Sequence, residues 1–151
     1  MAEAGLRERA LRYLAQREHS RAELARKLAG HGSAPEIDAV LDRLTELELL
    51  SDARFAAAWV RSKAGRFGAA RLRHDLASRG VAAELIEAAL EGEAGDEELD
   101  RARRVWRAKF GQAPADAREW ARQARFLQGR GFAAAVIRKL LKETPDESAE
   151  G

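Results

Sequence analysis

A leucine followed four residues later by a glycine occurs three times along this chain, as Leu28 and Gly32, Leu76 and Gly80, and Leu127 and Gly131, at intervals of 48 and then 51 residues. A helix ends where one residue can turn left-handed without a Cβ clash, so a leucine with a glycine one turn later reads as the last turn of a helix and its stop. Apolar residues then return at helical spacing: Ile37, Val40 and Leu41; Leu85, Ile86, Ala89 and Leu90; Val136, Ile137, Leu140 and Leu141. An aromatic-bearing segment precedes each pair, with Tyr13, Trp59 and Trp106 at intervals of 46 and 47 residues. Self-similarity at such a period marks a repeat architecture. The expected fold is all-α, three tandem three-helix repeats at 6–50, 51–91 and 97–143. These form an elongated or curved body, because a repeat contacts mainly its neighbours. An acidic disordered tail is expected at 144–151, after Thr144 and Pro145.

Local signals agree. Ser20 with Glu23 and Ser33 with Glu36 have the spacing of a capping box, and Pro35 suits a first helical turn. Asp116 with Glu119 repeats the spacing with Asp as the cap, whereas the middle helix of the second repeat starts after Phe67 and Gly68. Residues 91–97 form a linker-like stretch. Ala, Leu, Arg and Glu dominate, few residues are β-branched, and 46% are hydrophobic, which favours helices around a core rather than a sheet. Leu24, Leu28, Leu72, Leu76, Trp59, Trp106, Trp120 and Leu127 are expected in that core.

The same inventory removes most chemistry. With no cysteine there is no disulfide, thiolate metal site or thiol nucleophile. His19, His31 and His74 are too far apart for a metal site and read as surface or cap residues. No Gly-x-Ser-x-Gly elbow and no phosphate-cradling glycine loop ending in Lys-Ser/Thr is present; Gly65-Arg66-Phe67-Gly68 is too short for one. The carboxylates lie on polar helix faces. The chain is therefore expected not to be an enzyme, to need no metal or cofactor, and to have no catalytic residues. No apolar run could span a membrane, and the first ten residues lack a secretory signal's apolar core, so a cytoplasmic location is expected.

Charge is the informative property, and the net +2 conceals it. Residues 51–80 hold seven basic and two acidic side chains, residues 81–100 none and eight, and residues 101–142 twelve and two. Such segregation points to a partner with its own charge pattern. On a helical wheel Arg118, Arg122 and Arg125 share one face, opposite Trp120, Ala124 and Leu127. Lys109 and Arg130 are close in sequence, as are Arg138, Lys139 and Lys142, and the second repeat adds Arg61, Lys63, Arg66, Arg71, Arg73 and Arg79. Arginine outnumbers lysine, which suits bidentate contacts to phosphate or carboxylate. Nucleic-acid backbone and an acidic protein surface both fit, so a non-specific nucleic-acid binder and a helical adaptor stay open beside any regulatory role. Sequence-specific operator reading fits poorly. A reading third helix would be repelled by phosphates where it carries Glu36, Asp38, Asp42, Glu46 and Glu48, or Glu84, Glu87 and Glu91.

Several motifs together resemble one family. Ser51-Asp52-Ala53-Arg54-Phe55-Ala56, Trp59-Val60, Phe67-Gly68-Ala69-Ala70-Arg71-Leu72 and Asp75-Leu76-Ala77-Ser78-Arg79-Gly80-Val81 resemble the central signature of the RecX family. Arg17-Glu18-His19-Ser20-Arg21-Ala22-Glu23-Leu24 with Lys27-Leu28 resembles its opening motif, and Lys109-Phe110-Gly111 with Phe126-Leu127-Gln128-Gly129-Arg130-Gly131-Phe132 its closing one. The likeness spans nearly all of residues 6–142. It implies a bacterial cytoplasmic regulator, acting in DNA repair, recombination and the SOS response. Such a protein binds the RecA–DNA filament, with DNA backbone contacts open to it, and inhibits the recombinase by occupying the filament groove or blocking its growth. The first repeat departs from the other two in lacking an excess of basic residues on its middle helix. The resemblance assigns no residue-level site; the candidates Arg61, Lys63, Arg66, Arg71, Arg73, Arg79, Lys109, Arg118, Arg122, Arg125 and Arg130 rest on charge. A monomer is expected.

Overall fold

The computed structural model describes the backbone of residues 2–91 and 96–150 and the side chains of residues 4–91 and 98–142. Residues 92–95, within the linker-like stretch, lie outside it. Among the described residues the fold is all-helical, with nine helices. They are α1 (Ala2–Gln16), α2 (Arg21–Leu28), α3 (Ala34–Glu46), α4 (Asp52–Lys63), α5 (Ala69–Ser78), α6 (Ala83–Leu90), α7 (Asp96–Lys109), α8 (Ala117–Gly129) and α9 (Ala134–Glu150). Residues 144–150, which the sequence sets apart as a tail, continue α9.

The chain divides into two compact units. Unit one holds residues 1–59 and 76–89, and unit two holds residues 60–75 and 90–151, so the middle repeat contributes to both. Unit one packs around Leu6, Ala10, Leu24, Leu28, Ile37, Val40, Leu41, Leu44 and Leu50. The α3 members follow the i, i+3, i+4, i+7 pattern of one buried helical stripe. Both capping boxes form: the Glu23 and Glu36 backbone N–H groups donate to Ser20 Oγ (3.1 Å) and Ser33 Oγ (3.3 Å), and each glutamate accepts from its serine's backbone N–H. Ser20 is fully buried, and its hydroxyl also donates to the Arg79 carbonyl at 2.7 Å.

Unit two packs around Ala102, Trp106, Leu127, Phe132, Ile137, Leu140 and Leu141. Its α8 cap forms only half a box: Glu119 N–H donates to Asp116 Oδ1 at 2.8 Å, but the Glu119 carboxylate turns to Arg122 instead. The Gly68 start of α5 is capped from α7, where Glu98 Oε1 accepts from Ala69 N–H at 3.0 Å.

The structure corrects four expectations. In the first repeat the left-handed residue is Gly30 (φ +88°), not Gly32, whereas Gly80 (+82°) and Gly131 (+93°) serve as expected. The reason is that α2 already ends at Leu28; Gly32 is small for another reason, since a Cβ there would come 2.7 Å from Leu6 Cδ1. Trp120 is 38% exposed rather than in the core. Gln123 takes the inward position, its Oε1 accepting from Trp106 Nε1–H at 2.8 Å, because a buried indole needs an acceptor. Trp59 is half-buried, with the Arg79 guanidinium 4.0 Å from its ring centroid. His19 is fully buried rather than on the surface.

That histidine belongs to a packed polar cluster in unit one. With Nδ1–H donating to the Arg17 carbonyl (3.0 Å), Nε2 is left to accept from the Lys27 ammonium (2.9 Å). Lys27 also lies 4.7 Å from the Tyr13 ring centroid. Burial holds the His19 pKa below its ordinary value of 6.5, and the Arg17 and Lys27 charges push the same way. Burial would raise the Glu23 carboxyl, but hydrogen bonds from Arg17 and the Ser20 backbone outweigh it and hold Glu23 low.

Candidate functional site

Two glycines position the basic residues of unit two. The Gly68 N–H donates to the Arg130 carbonyl at 2.9 Å, and the Ala70 N–H to the Gly131 carbonyl at 3.2 Å. A Cβ on Gly68 would stand 2.5 Å from the Gly131 oxygen, and one on Gly131 would stand 2.2 Å from Arg71 Cβ. Only at that approach do the start of α5 and the end of α8 bring their arginines onto shared aromatic rings.

Phe67 has Arg71 4.7 Å, Arg130 5.5 Å and Arg66 5.7 Å from its ring centroid. Arg130 also reaches Phe126 at 5.2 Å, where Lys109 stands at 5.5 Å. Phe126 meets Phe110 edge-on at 5.4 Å, and Arg122 lies 5.0 Å from the Phe110 centroid. Cations and rings are therefore interleaved, from Arg71 through Phe67, Arg130 and the adjoining pair Phe126 and Phe110 to Arg122. The three rings are half-buried.

The cations differ in what neutralises them. Arg122 donates to Glu119 at 2.6 and 3.0 Å; that hydrogen bond holds the glutamate's pKa low and raises the arginine's. Arg71 reaches Asp75 at 3.3 Å. Among the described residues, no carboxylate pairs with Arg66, Arg104, Lys109 or Arg130. These four line an open hollow of about 340 Å³ together with the apolar Val105, Ala108 and Phe126. Their mutual repulsion acts within roughly the 8 Å Debye length of physiological salt. Cation–π contact returns about 0.5–1 kcal/mol at an exposed ring. These four cations thus keep a positive charge that no carboxylate among the described residues offsets.

Of the other candidates, Arg118 and Arg125 are exposed on α8 with Arg122, Arg73 is exposed on α5, and Arg61 and Lys63 occupy the last turn of α4. Arg79 belongs to unit one, over Trp59 and 3.7 Å from Glu23. Charge counting did not find the three rings or Arg104. A signal was available: four of the five phenylalanines directly follow a basic residue, as Arg54-Phe55, Arg66-Phe67, Lys109-Phe110 and Arg125-Phe126.

Family models for the three RecX three-helix domains match residues 7–44, 51–90 and 96–141 in order. This chain belongs to the RecX family. A protein named Regulatory protein RecX from Leptothrix cholodnii is 55% identical over 138 residues, 91% of this chain and 87% of the relative. Its namesake from Chromobacterium violaceum is 45% identical over 143 residues, 94% and 92% of the two chains. The crystal structure of RecX from Lactobacillus salivarius shares the fold with a TM-score of 0.83 at 18% identity, over 95% of this chain and 97% of that one. The Leptothrix cholodnii and Chromobacterium violaceum relatives are named as regulatory proteins. No helix among the described residues is long and apolar enough to cross a membrane.

Proposed function

We propose that this chain binds the RecA–DNA filament and inhibits the recombinase by occupying the filament, making and breaking no bond. The observation that carries this reading is the set of cations on unit two, Arg66, Arg104, Lys109 and Arg130, with no carboxylate partner among the described residues, in a chain of the RecX family. Phosphate or carboxylate on the filament is the counterpart these side chains suit. The exposed row Arg118, Arg122 and Arg125 and the exposed Arg61 and Arg73 extend the same basic surface. In this reading the protein works in the cytoplasm as a monomer, in recombination and repair.

A second reading, a non-specific nucleic-acid binder acting without RecA, is favoured by one feature, the alternation of cations with aromatic rings. Hydrolysis of ATP by RecA on single-stranded DNA separates the two. Under the first reading, hydrolysis falls as the protein is titrated in at physiological salt. Unchanged hydrolysis, with tight binding to bare DNA under the same conditions, would establish the second.

A further inference from the structure

We infer that the hollow lined by Phe126 and rimmed by Arg66, Arg104, Lys109 and Arg130 is a seat for one unpaired nucleobase of a single strand, with its flanking phosphates on the rim. The inference names a ligand for the cluster and does not depend on whether RecA is restrained.

Three properties converge on that ligand. The first is shape and size: about 340 Å³, at the low end for small-ligand pockets, with Val105, Ala108 and Phe126 giving apolar surface. A flat heterocycle can stack on the exposed part of Phe126, which also meets Phe110 in a T-shaped contact at 5.4 Å. The second is charge. Four cations with no carboxylate partner among the described residues share the lining with apolar side chains, so a ligand with both an apolar part and anionic groups suits it. A nucleotide within a strand has that distribution; an acidic peptide has the charge without the flat apolar centre. The third is position. Lys109 and Arg130 lie over the Phe126 ring at 5.5 and 5.2 Å from its centroid, so a base that stacks on the ring replaces these flexible cations there, and the displaced cations meet its flanking phosphates. A duplex offers the phosphates but keeps its bases stacked within the helix, so it would meet the cations and leave the apolar lining empty.

The test uses the full chain, without RecA, and fluorescence anisotropy of labelled 20-mers. Oligo(dT) should bind about tenfold more tightly than an abasic strand of equal length, which has the same phosphates and no bases. It should also bind more tightly than a 20-base-pair duplex. Phe126→Leu keeps most of the apolar volume, and with an unchanged thermal midpoint it should abolish the preference for oligo(dT) while leaving the abasic strand's affinity in place. The pair Arg66→Gln and Arg104→Gln should weaken both strands and lower the salt slope by about 0.7 for each phosphate no longer neutralised. Oligo(U) binding as tightly as oligo(dT) would identify the shared base-and-phosphate chemistry; weaker oligo(U) would assign the seat to DNA. Equal affinity for oligo(dT) and the abasic strand would overturn the inference. So would a base preference that survives Phe126→Leu, or poly-glutamate competing as well as oligo(dT) at equal charge. If the base preference is missing while RecA hydrolysis still falls, the nucleobase seat is wrong and the regulatory reading stands.

Discussion

Unit one commits several of its arginines to carboxylates, and unit two commits several of its own to rings. In unit one Arg17 pairs with Glu23 at 3.2 Å, Arg21 with Asp42 at 2.8 Å and Arg54 with Glu18 at 3.0 Å, while Arg79 shares itself between Trp59 and Glu23. In unit two Arg130 bridges Phe67 and Phe126, Lys109 lies beside Phe126, and neither has a carboxylate partner among the described residues. The same residue type does two jobs, and the neighbours decide which. A cation with a carboxylate at ion-pair distance is neutralised and positions the chain. A cation held over a ring keeps its full charge for a partner. Net charge per segment cannot make this distinction, because it counts Arg122, tied to Glu119, and Arg130 alike.

The largest expected effects lie in the cores, where the two units should behave alike. Leu76 and Leu127 are fully buried, one in each unit. Replacing either by Ala should destabilise the protein by about 2–5 kcal/mol, read from denaturant midpoints. An unchanged midpoint for Leu76→Ala would place that side chain at the surface and break the parallel.

Glycine substitutions should separate the units. Gly30 and Gly131 share a left-handed backbone, but a Cβ on Gly30 meets nothing within 4 Å, whereas one on Gly131 stands 2.2 Å from Arg71 Cβ. Gly30→Ala should cost about 1–2 kcal/mol for the conformation alone. Gly131→Ala should cost about 1–3 kcal/mol more from overpacking and should also move Arg71 off Phe67. Equal midpoints for the two variants would mean that the close approach of α5 and the end of α8 places no demand on Gly131.

A smaller effect concerns the α8 row. Reversing Arg118, Arg122 and Arg125 to Glu should leave helicity intact, since all three are exposed, and should weaken binding to the RecA filament. If the partner surface is DNA phosphate, the log–log salt slope should fall by about 0.7–0.9 for each phosphate left without its arginine. If it is an acidic protein patch, affinity for bare DNA should hardly change. Arg122 should contribute least of the three, being already paired with Glu119. Full inhibition by the folded triple variant would exclude this row from the interface.

The smallest effect is the pH response of unit one. Because the folded pKa of His19 lies below 6.5, the unfolded chain takes up the proton first as pH falls. The stability that neutral His19 contributes is therefore complete above about pH 6.5 and is lost as pH falls toward the folded pKa. Glu23, also held low, adds a second loss in more acidic solution, as pH falls below its ordinary 4.5. The midpoint should drop between pH 7.5 and 5.5 in the wild type and drop less in His19→Gln; identical slopes would mean that His19 does not set the response.

Much of the fold is legible in the sequence because helices announce themselves locally. Ser20, Ser33 and Asp116 mark starts, Gly80 and Gly131 mark stops, and the stripe Ile37, Val40, Leu41 and Leu44 marks an inward face. What local signals miss is set by distant partners. Gln123 is buried because Trp106 needs an acceptor, and Trp120, three residues earlier on the same wheel face, is left largely outside. His19 is buried because Lys27 and the Arg17 carbonyl satisfy both ring nitrogens. The charge segregation singles out Arg66, Lys109 and Arg130 by residue type alone. It did not reveal that Gly68 and Gly131 let the chain bring Arg71 and Arg130 to one ring, or that Arg104 joins the rim.

The division of labour between the units is tested most directly by RecA-catalysed ATP hydrolysis on single-stranded DNA with two neutralised variants at matched concentration. One carries Arg66, Arg104, Lys109 and Arg130 changed to Gln; the other carries Arg17, Arg21 and Arg54 changed to Gln, at a cost to stability of about 0–1 kcal/mol per pair. The first is expected to fold but no longer restrain hydrolysis, and the second, assayed below its melting midpoint, to restrain it as the wild type does. Restraint kept by the first variant and lost by the folded second would contradict that division.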